Sequence, residues 1–88
     1  SIVFAENTKT LCYFYSVEDT TRKTRENIIK EKENIRVEIV RGIINSTSQK
    51  AYKDAGFSFE YIYYPIRDAG DIMLKITVTP DDYNKKQR

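Results

Sequence analysis

The side chains that most often carry out catalysis are scarce in this sequence. It has no histidine and one cysteine, Cys12, so imidazole cannot act as a general base and no Ser–His or Cys–His nucleophile pair can form. Cys12 lies in an aromatic segment without a neighbouring cation that would lower its pKa. We therefore predict that the chain is not an enzyme. Cys12 is expected to be a small buried apolar side chain or, in an exported protein, a thiol that pairs between molecules.

Carboxylates are the remaining groups that could hold a metal ion or hydrolyse a bond. The closest pairs of aspartates are Asp68 with Asp71 and Asp81 with Asp82. Neither pair follows the twelve-residue calcium-loop pattern, and Asp68 and Asp71 are typical of a turn. Zinc would need more Cys or His ligands than this chain has, and a Gly-rich phosphate loop is lacking. The sequence predicts no catalytic residue, no metal site, no cofactor and no small-molecule substrate.

Length and charge narrow the class of protein further. The chain has 88 residues, which predicts one small domain, 1–88, with a thin core and no membrane span. Its net charge is +2, but three of its 15 basic side chains lie in residues 85–88, leaving twelve against 13 acidic ones in the remainder. A nucleic-acid-binding domain normally has a basic face, so we expect no such partner. Residues 84–88 are interpreted as a frayed basic tail.

The first five residues have two interpretations. Ser-Ile-Val-Phe-Ala is followed by an abrupt change to polar residues, and Val3 and Ala5 are at the −3 and −1 positions of a signal-peptidase site if cleavage follows Ala5. Residues 1–5 would then be a signal-peptide remnant, and the protein would be periplasmic or secreted. In the other interpretation Ile2–Phe4 form a first strand, or the edge of an excised domain, and a cytoplasmic location stays open.

The middle of the chain predicts a long helix. Residues 11–15 are apolar and aromatic and predict a strand, and Ser16 with Asp19 is typical of a helix start. Beyond it, residues 17–45 carry isoleucines at helical spacing, although residues 35–44 would also suit a strand of alternating β-branched side chains. Residues 49–55 predict a short helix that ends at Gly56.

The last third of the chain predicts a β-hairpin. Aromatic residues alternate with others in 57–64, apolar residues alternate in 72–79, and residues 68–71 form the turn. An even-numbered loop sets Tyr61 opposite Val78 and Tyr63 opposite Ile76, with both apolar rows on one face. The fold class is therefore α+β: a three-stranded, mostly antiparallel sheet of strand, long helix, short helix and hairpin, with the helix packed on one face.

The opposite face of the hairpin suggests a contact surface. Seven tyrosines are present, and tyrosine is common both at the rim of small cores and in protein interfaces. Alternation places Ile62, Tyr64 and Met73 on the face that should contact water, where Thr, Lys or Glu would be usual. These three residues are the predicted partner-binding patch, unless the short helix at residues 49–55 folds over them.

The function expected from these features is that of a small exported protein-binding module. It would act by surface complementarity on another protein or on a second copy, as inhibitors, immunity proteins and assembly accessories do. The alternative is a cytoplasmic regulatory or nucleic-acid-associated domain that uses basic helix residues such as Arg22 and Lys23.

Overall fold

Strands and helices follow one another in eight elements along the chain. The computed structural model describes residues 2–5 and 8–84. In chain order the elements are β1 (Ile2–Ala5), β2 (Thr10–Val17), α1 (Arg22–Lys30), α2 (Lys32–Asn45), α3 (Lys50–Asp54), β3 (Ser58–Pro65), β4 (Leu74–Val78) and α4 (Pro80–Asn84).

The strands form one mixed sheet in the order β1-β2-β3-β4. β1 is antiparallel to β2, β2 is parallel to β3, and β3 is antiparallel to β4. Parallel neighbours need a crossover connection, which α1, α2 and α3 supply between β2 and β3. Because such a crossover packs back onto one side of the sheet, these helices share a face. We call the helix-covered face the inner face and the opposite one the outer face.

A hydrophobic core fills the space between the inner face and the helices. Its buried members come from three strands, α2 and α4: Leu11, Ile43, Phe59, Leu74, Ile76, Val78 and Tyr83. Partly buried isoleucines and a valine of the helices pack against them: Ile28, Ile35, Ile39, Val40 and Ile44. The helical stripe predicted from the spacing of the isoleucines is therefore the surface that meets the sheet.

The predicted α+β class is confirmed, but the predicted three-stranded, mostly antiparallel sheet is wrong in two respects. Ile2–Ala5 add a fourth strand, with Val3 opposite Cys12, which matches the strand interpretation of this segment. β2 also pairs in parallel with β3 over eight residues, for example Tyr13 with Tyr61. The parallel pairing joins segments far apart in the chain and depends on tertiary packing, so it could not be deduced from local patterns.

The predicted long helix is confirmed over residues 35–44, but it starts later and is broken once. Ser16 belongs to β2, and the cap of α1 is Thr21, whose hydroxyl accepts a hydrogen bond from the Thr24 backbone N–H at 3.3 Å. A single turn residue, Glu31, separates α1 from α2. Its carboxylate accepts a hydrogen bond from the Asn34 side-chain amide at 2.7 Å.

The predicted short helix is confirmed as α3, and it closes the end of α2. Gly56 follows it with a positive φ of 78°, a conformation that favours glycine at a helix end. The Lys53 ammonium donates to the backbone carbonyls of Ile43, Ile44 and Ser46 at 2.6–3.0 Å. They lie at the end of α2, where carbonyls lose their i+4 partners, although Ile43 also accepts from the Ser46 backbone N–H at 3.2 Å. A cation at this position therefore stabilises the C-terminus of α2.

The predicted hairpin is confirmed with a longer loop and a shifted register. Tyr61 faces Ile76 and Tyr63 faces Leu74, so each partner lies two residues earlier in β4 than predicted. The connection occupies residues 66–73. It begins with a turn in which the Asp68 backbone N–H donates to the Pro65 carbonyl at 3.0 Å. The shift is an even number of residues, so the predicted faces of the shared strand residues are preserved. The prediction that Ile72 belongs to the buried row is wrong, because Ile72 lies in this loop.

The C-terminal helix α4 was not predicted; it packs against α2 and places Tyr83 in the core. Asp82 accepts hydrogen bonds from the Thr79 backbone N–H at 2.8 Å and the Thr79 hydroxyl at 3.1 Å. These bonds and the Arg36 guanidinium, 3.0 Å away, hold the pKa of Asp82 below its usual value despite partial burial. Arg36 also donates to the Thr77 carbonyl at 2.7 Å. Residues 85–88, most of the predicted tail, lie outside the described residues.

Truncations in β4 test the assignment of faces. Leu74 and Ile76 are buried on the inner face, whereas Lys75 is exposed on the outer face. Leu74→Ala and Ile76→Ala should each lower the free energy of unfolding by about 2–4 kcal/mol because they leave cavities. Lys75→Ala removes only an exposed contact with Glu60 at 3.8 Å and should change it by about 0.5 kcal/mol or less. Equal losses at 74 and 75 in denaturant melts would contradict the assignment.

Candidate interaction surface

An apolar groove runs across the outer face beside the hairpin loop. Strand pairing sets Phe14 next to Ile62 and Ser16 next to Tyr64, and the loop brings Ile72 to the same side. The groove has a volume of about 330 Å³ and is lined by Val3, Phe14, Ile62, Tyr64, Ala69 and Ile72. We call these six residues the outer groove.

The outer groove has a buried floor and exposed walls. Ile62 is only 8% exposed, yet it is not part of the core cluster under the helices. Val3 and Ile72 are 50% and 51% exposed, and Phe14 and Tyr64 are half-buried. In the described part of the chain, none of the lining residues belongs to a helix. Apolar side chains therefore shield Ile62 while offering their own outer surfaces to the solvent.

The predicted partner-binding patch is only partly assembled. Ile62 and Tyr64 lie together in the outer groove, but Met73 is half-buried and is not among the lining residues. The short helix does not bury this patch. Gln49, just before α3, donates to the hydroxyls of Tyr13 at 2.8 Å and Tyr61 at 3.3 Å, and both tyrosines lie on the inner side. The assignment of these residues to partner binding stays a prediction.

Three features of the outer groove were missed by the sequence analysis. Phe14 could have been found, because alternation with Tyr13 and Tyr15 already places it on the face opposite theirs. Val3 enters through the pairing of β1 with β2, and Ala69 and Ile72 enter through a loop longer than predicted. No local sequence signal places Ala69 and Ile72 in the outer groove.

The rest of the outer face is polar. The Cys12 thiol lies 3.9 Å from a Glu60 carboxylate oxygen, and the other Glu60 oxygen lies 3.8 Å from the Lys75 ammonium. Burial raises the pKa of the Cys12 thiol, and the Glu60 carboxylate raises it further. A thiol in this environment stays protonated and is a poor nucleophile. Cys12 is half-buried, and not fully buried as one expectation had it.

Four of the seven tyrosines form a stacked row on the inner face. Tyr13 and Tyr61 stack with ring centroids 4.9 Å apart, and Tyr15 and Tyr63 stack at 5.3 Å. Tyr15 also stacks on Tyr61 at 6.2 Å. Burial raises the pKa of Tyr61 and of Tyr63. Tyr13, Tyr61 and Tyr63 are thus partly buried residues that pack against the core, whereas Tyr15, at 43%, is exposed. Tyr64 is the tyrosine that contributes to the outer groove.

Outside the outer groove, a depression at one end of the sheet and the acidic side chains are the other places in the described residues where a ligand could bind. A depression of about 680 Å³ lies at the carboxyl ends of β2 and β3, but its charged side chains, Glu18 and Arg67, are exposed and opposite in sign. Within residues 2–5 and 8–84, no group of three or more Cys, Asp or Glu side chains is placed to hold a metal ion. The helices of the same residues are too short or too polar to cross a membrane.

Comparison with known proteins identifies a family but no function. Residues 1–74 match the family described as "Domain of unknown function (DUF8479)". The chain belongs to this family. The match includes β1, the crossover and β3, and it ends at the first residue of β4. No curated protein and no solved structure showed significant similarity to the chain.

Truncation of Ile62 in the floor of the outer groove and of Ile72 in its wall should have different effects on stability. Ile62→Ala removes a side chain that is 8% exposed and should lower the free energy of unfolding by about 2 kcal/mol or more. Ile72→Ala removes one that is 51% exposed and should change it by about 0.5 kcal/mol or less. Urea denaturation of both variants measures these two changes in the free energy of unfolding. A loss at Ile72 as large as that at Ile62 would mean that the loop is part of a continuous core and not of an open wall.

Proposed function

We propose that this member of the family is a small protein-binding module that acts by surface complementarity and not by catalysis. The observation that carries the proposal is the outer groove, an apolar depression on the sheet face that the crossover helices leave uncovered. Exposed apolar patches with polar surroundings are typical of interaction sites. Cys12, Glu60 and Lys75 form such polar surroundings on the same face.

The shape of the outer groove favours a peptide segment as its ligand. Its volume is at the lower end of the range for small-molecule pockets, about 300–1,000 Å³, which enclose most of the ligand's surface. Its walls, Val3 and Ile72, are themselves half exposed, so a bound molecule would stay open to solvent on one side. One or two apolar side chains of an extended segment or loop fit such a site. This mode of binding suits the inhibitor, immunity or assembly-accessory class of protein.

Ion pairs of three helix arginines weaken the nucleic-acid alternative, although they do not include Arg22 and Lys23, on which it was based. Arg25 pairs with Asp71 at 3.1 Å, and Arg36 pairs with Asp82 at 3.0 Å. Arg41 pairs with Glu38 at 2.8 Å. Each of these cations is partly neutralised by a carboxylate, whereas phosphate binding needs an excess of positive charge on one surface.

Export stays a separate prediction. Cleavage after Ala5 would remove all of β1, including Val3 from the outer groove, and β2 would become the edge of a three-stranded sheet. The other five lining residues would remain.

Selection from a random-peptide library displayed on phage tests the proposed function. Enriched peptides should carry apolar side chains, and their affinity can be measured by fluorescence anisotropy. Ile72→Asp places a charge in the wall of the outer groove and should weaken binding at least tenfold, about 1.4 kcal/mol.

The matched control is Ile66→Asp. Ile66 is 52% exposed, close to the 51% of Ile72, and it does not line the outer groove. The Ile66→Asp variant should change the affinity for the peptide by less than about twofold, because substitutions outside an interface core usually have small effects. Equal losses for both variants, or a failure to enrich any peptide sensitive to Ile72→Asp, would contradict the proposal.

A further inference from the structure

The hairpin loop, residues 66–73, is fixed to the sheet at both of its ends. At its start the Ile66 backbone N–H donates to the Val17 carbonyl at 3.0 Å. At its end the Met73 backbone N–H donates to the Tyr63 carbonyl at 2.8 Å. The residues between these two bonds are exposed to solvent, so burial does not fix the position of the middle of the loop.

An ion pair joins the middle of this loop to the helices of the inner face. The Arg25 guanidinium of α1 lies 3.1 Å from the Asp71 carboxylate. The Nε atom of Arg25 also donates to the Thr20 carbonyl at 3.2 Å, a bond that restricts the orientation of the guanidinium. Among the ion pairs of the described residues, this is the one that connects the hairpin loop with a helix.

The anchored residue, Asp71, lies beside the loop residues that form part of the outer groove. Ile72 is its direct neighbour, and consecutive Cα atoms are only about 3.8 Å apart. The Asp71 backbone N–H donates to the Asp68 carbonyl at 3.1 Å and closes a turn that contains Ala69. Ala69 and Ile72 both line the outer groove. An anchor at Asp71 therefore limits the positions that both of these apolar side chains can take.

We infer that the Arg25–Asp71 ion pair positions the loop wall of the outer groove for binding, so that Arg25 is a positioning residue for a ligand on the opposite face of the sheet. The inference rests on the proposed function. A wall that is already in its binding position makes the complex tighter, because the loop is not ordered at the expense of binding. If breaking the pair left the wall in place in about one third of the molecules, the affinity would fall about threefold.

The exposure of the two side chains sets the size of this effect. The side chains of Arg25 and Asp71 are 36% and 49% exposed. A threefold change in affinity corresponds to about 0.7 kcal/mol, which is within the range of exposed ion pairs. Salt screens charges that are open to water. The shape of the outer groove should therefore depend on ionic strength.

Neutral substitutions of the ion pair test the inference with a peptide selected on the wild type and sensitive to Ile72→Asp. Arg25→Gln and Asp71→Asn should each weaken its binding about threefold, as measured by fluorescence anisotropy. In about 1 M NaCl, where charges are screened beyond roughly 3 Å, the difference between the wild type and Arg25→Gln should disappear.

The matched control is Arg41→Gln. Arg41 pairs with Glu38 at 2.8 Å on the surface of α2, and neither residue lines the outer groove. The substitution changes the net charge by the same amount as Arg25→Gln. It should change the affinity for the peptide by less than about 1.5-fold, because it breaks an exposed ion pair that does not contact the loop.

A charge exchange separates positioning by the ion pair from local damage to α1 or to the loop. Arg25→Asp and Asp71→Arg each bring like charges together and should weaken peptide binding at least about fivefold. The double variant restores opposite charges and should bind within about twofold of the wild type, because the two substitutions are coupled. Losses that simply add in the double variant would overturn the inference.

Hydrogen exchange of the Met73 backbone amide, followed by NMR, examines the loop without any peptide. The bond from this amide to the Tyr63 carbonyl closes the loop, and local opening must break it before the amide can exchange. Exchange should be about threefold faster in Arg25→Gln than in the wild type and unchanged in Arg41→Gln. Unchanged exchange in Arg25→Gln, or unchanged affinity for a peptide that is sensitive to Ile72→Asp, would overturn the inference.

Failure of the proposed function would give a different result. In that case no peptide sensitive to Ile72→Asp is found, and the exchange rate of the Met73 amide alone decides whether Arg25 holds the loop in place.

Discussion

The crossover between the parallel strands β2 and β3 is the constraint on which the rest of this structure depends. Two parallel neighbours cannot be joined by a tight turn, and the connecting chain must return over one side of the sheet. Here the connection contains three helices, α1 to α3. All of them therefore lie on the inner face, and the core forms there. None of the crossover helices covers the outer face. Its apolar residues are therefore shielded from water only by one another and by the hairpin loop.

Polar contacts hold this arrangement at the ends of the helices. The Lys53 ammonium satisfies carbonyls at the end of α2, and Gln49 binds the hydroxyls of two core tyrosines. Tyr83 of α4 donates its hydroxyl hydrogen to the carbonyl of Phe57, just before β3, at 2.7 Å. Each of these bonds joins a segment after α2 to another element. They keep the short C-terminal elements in place in a chain too small to rely on its core alone.

Local patterns predicted much of the fold and part of the surface. The spacing of the isoleucines indicated the long helix, and alternation in β3 placed Ile62 and Tyr64 on the outer face. The fourth strand was left open because four apolar residues also resemble the end of a signal peptide. The helix α4 had a readable signal, since Thr79, Pro80 and Asp82 are typical of a helix start. The parallel pairing of β2 with β3 and the position of Ile72 arise only from contacts between distant segments.

The domain has its core on one side of the sheet, and we propose that its contact surface lies on the other side. The family match covers residues 1–74 and names no activity. The proposed contact surface is an apolar groove with half-exposed walls and not a deep cleft.

Hydroxyl-radical footprinting of the folded chain, read by mass spectrometry, tests most directly whether the outer face is uncovered. Tyr64 and Phe14 should be modified readily in the native protein, whereas Phe59, which is 0% exposed, should be modified only after unfolding. Protection of Tyr64 and Phe14 as strong as that of Phe59 would show that another part of the chain covers the outer face, and the central claim would be wrong.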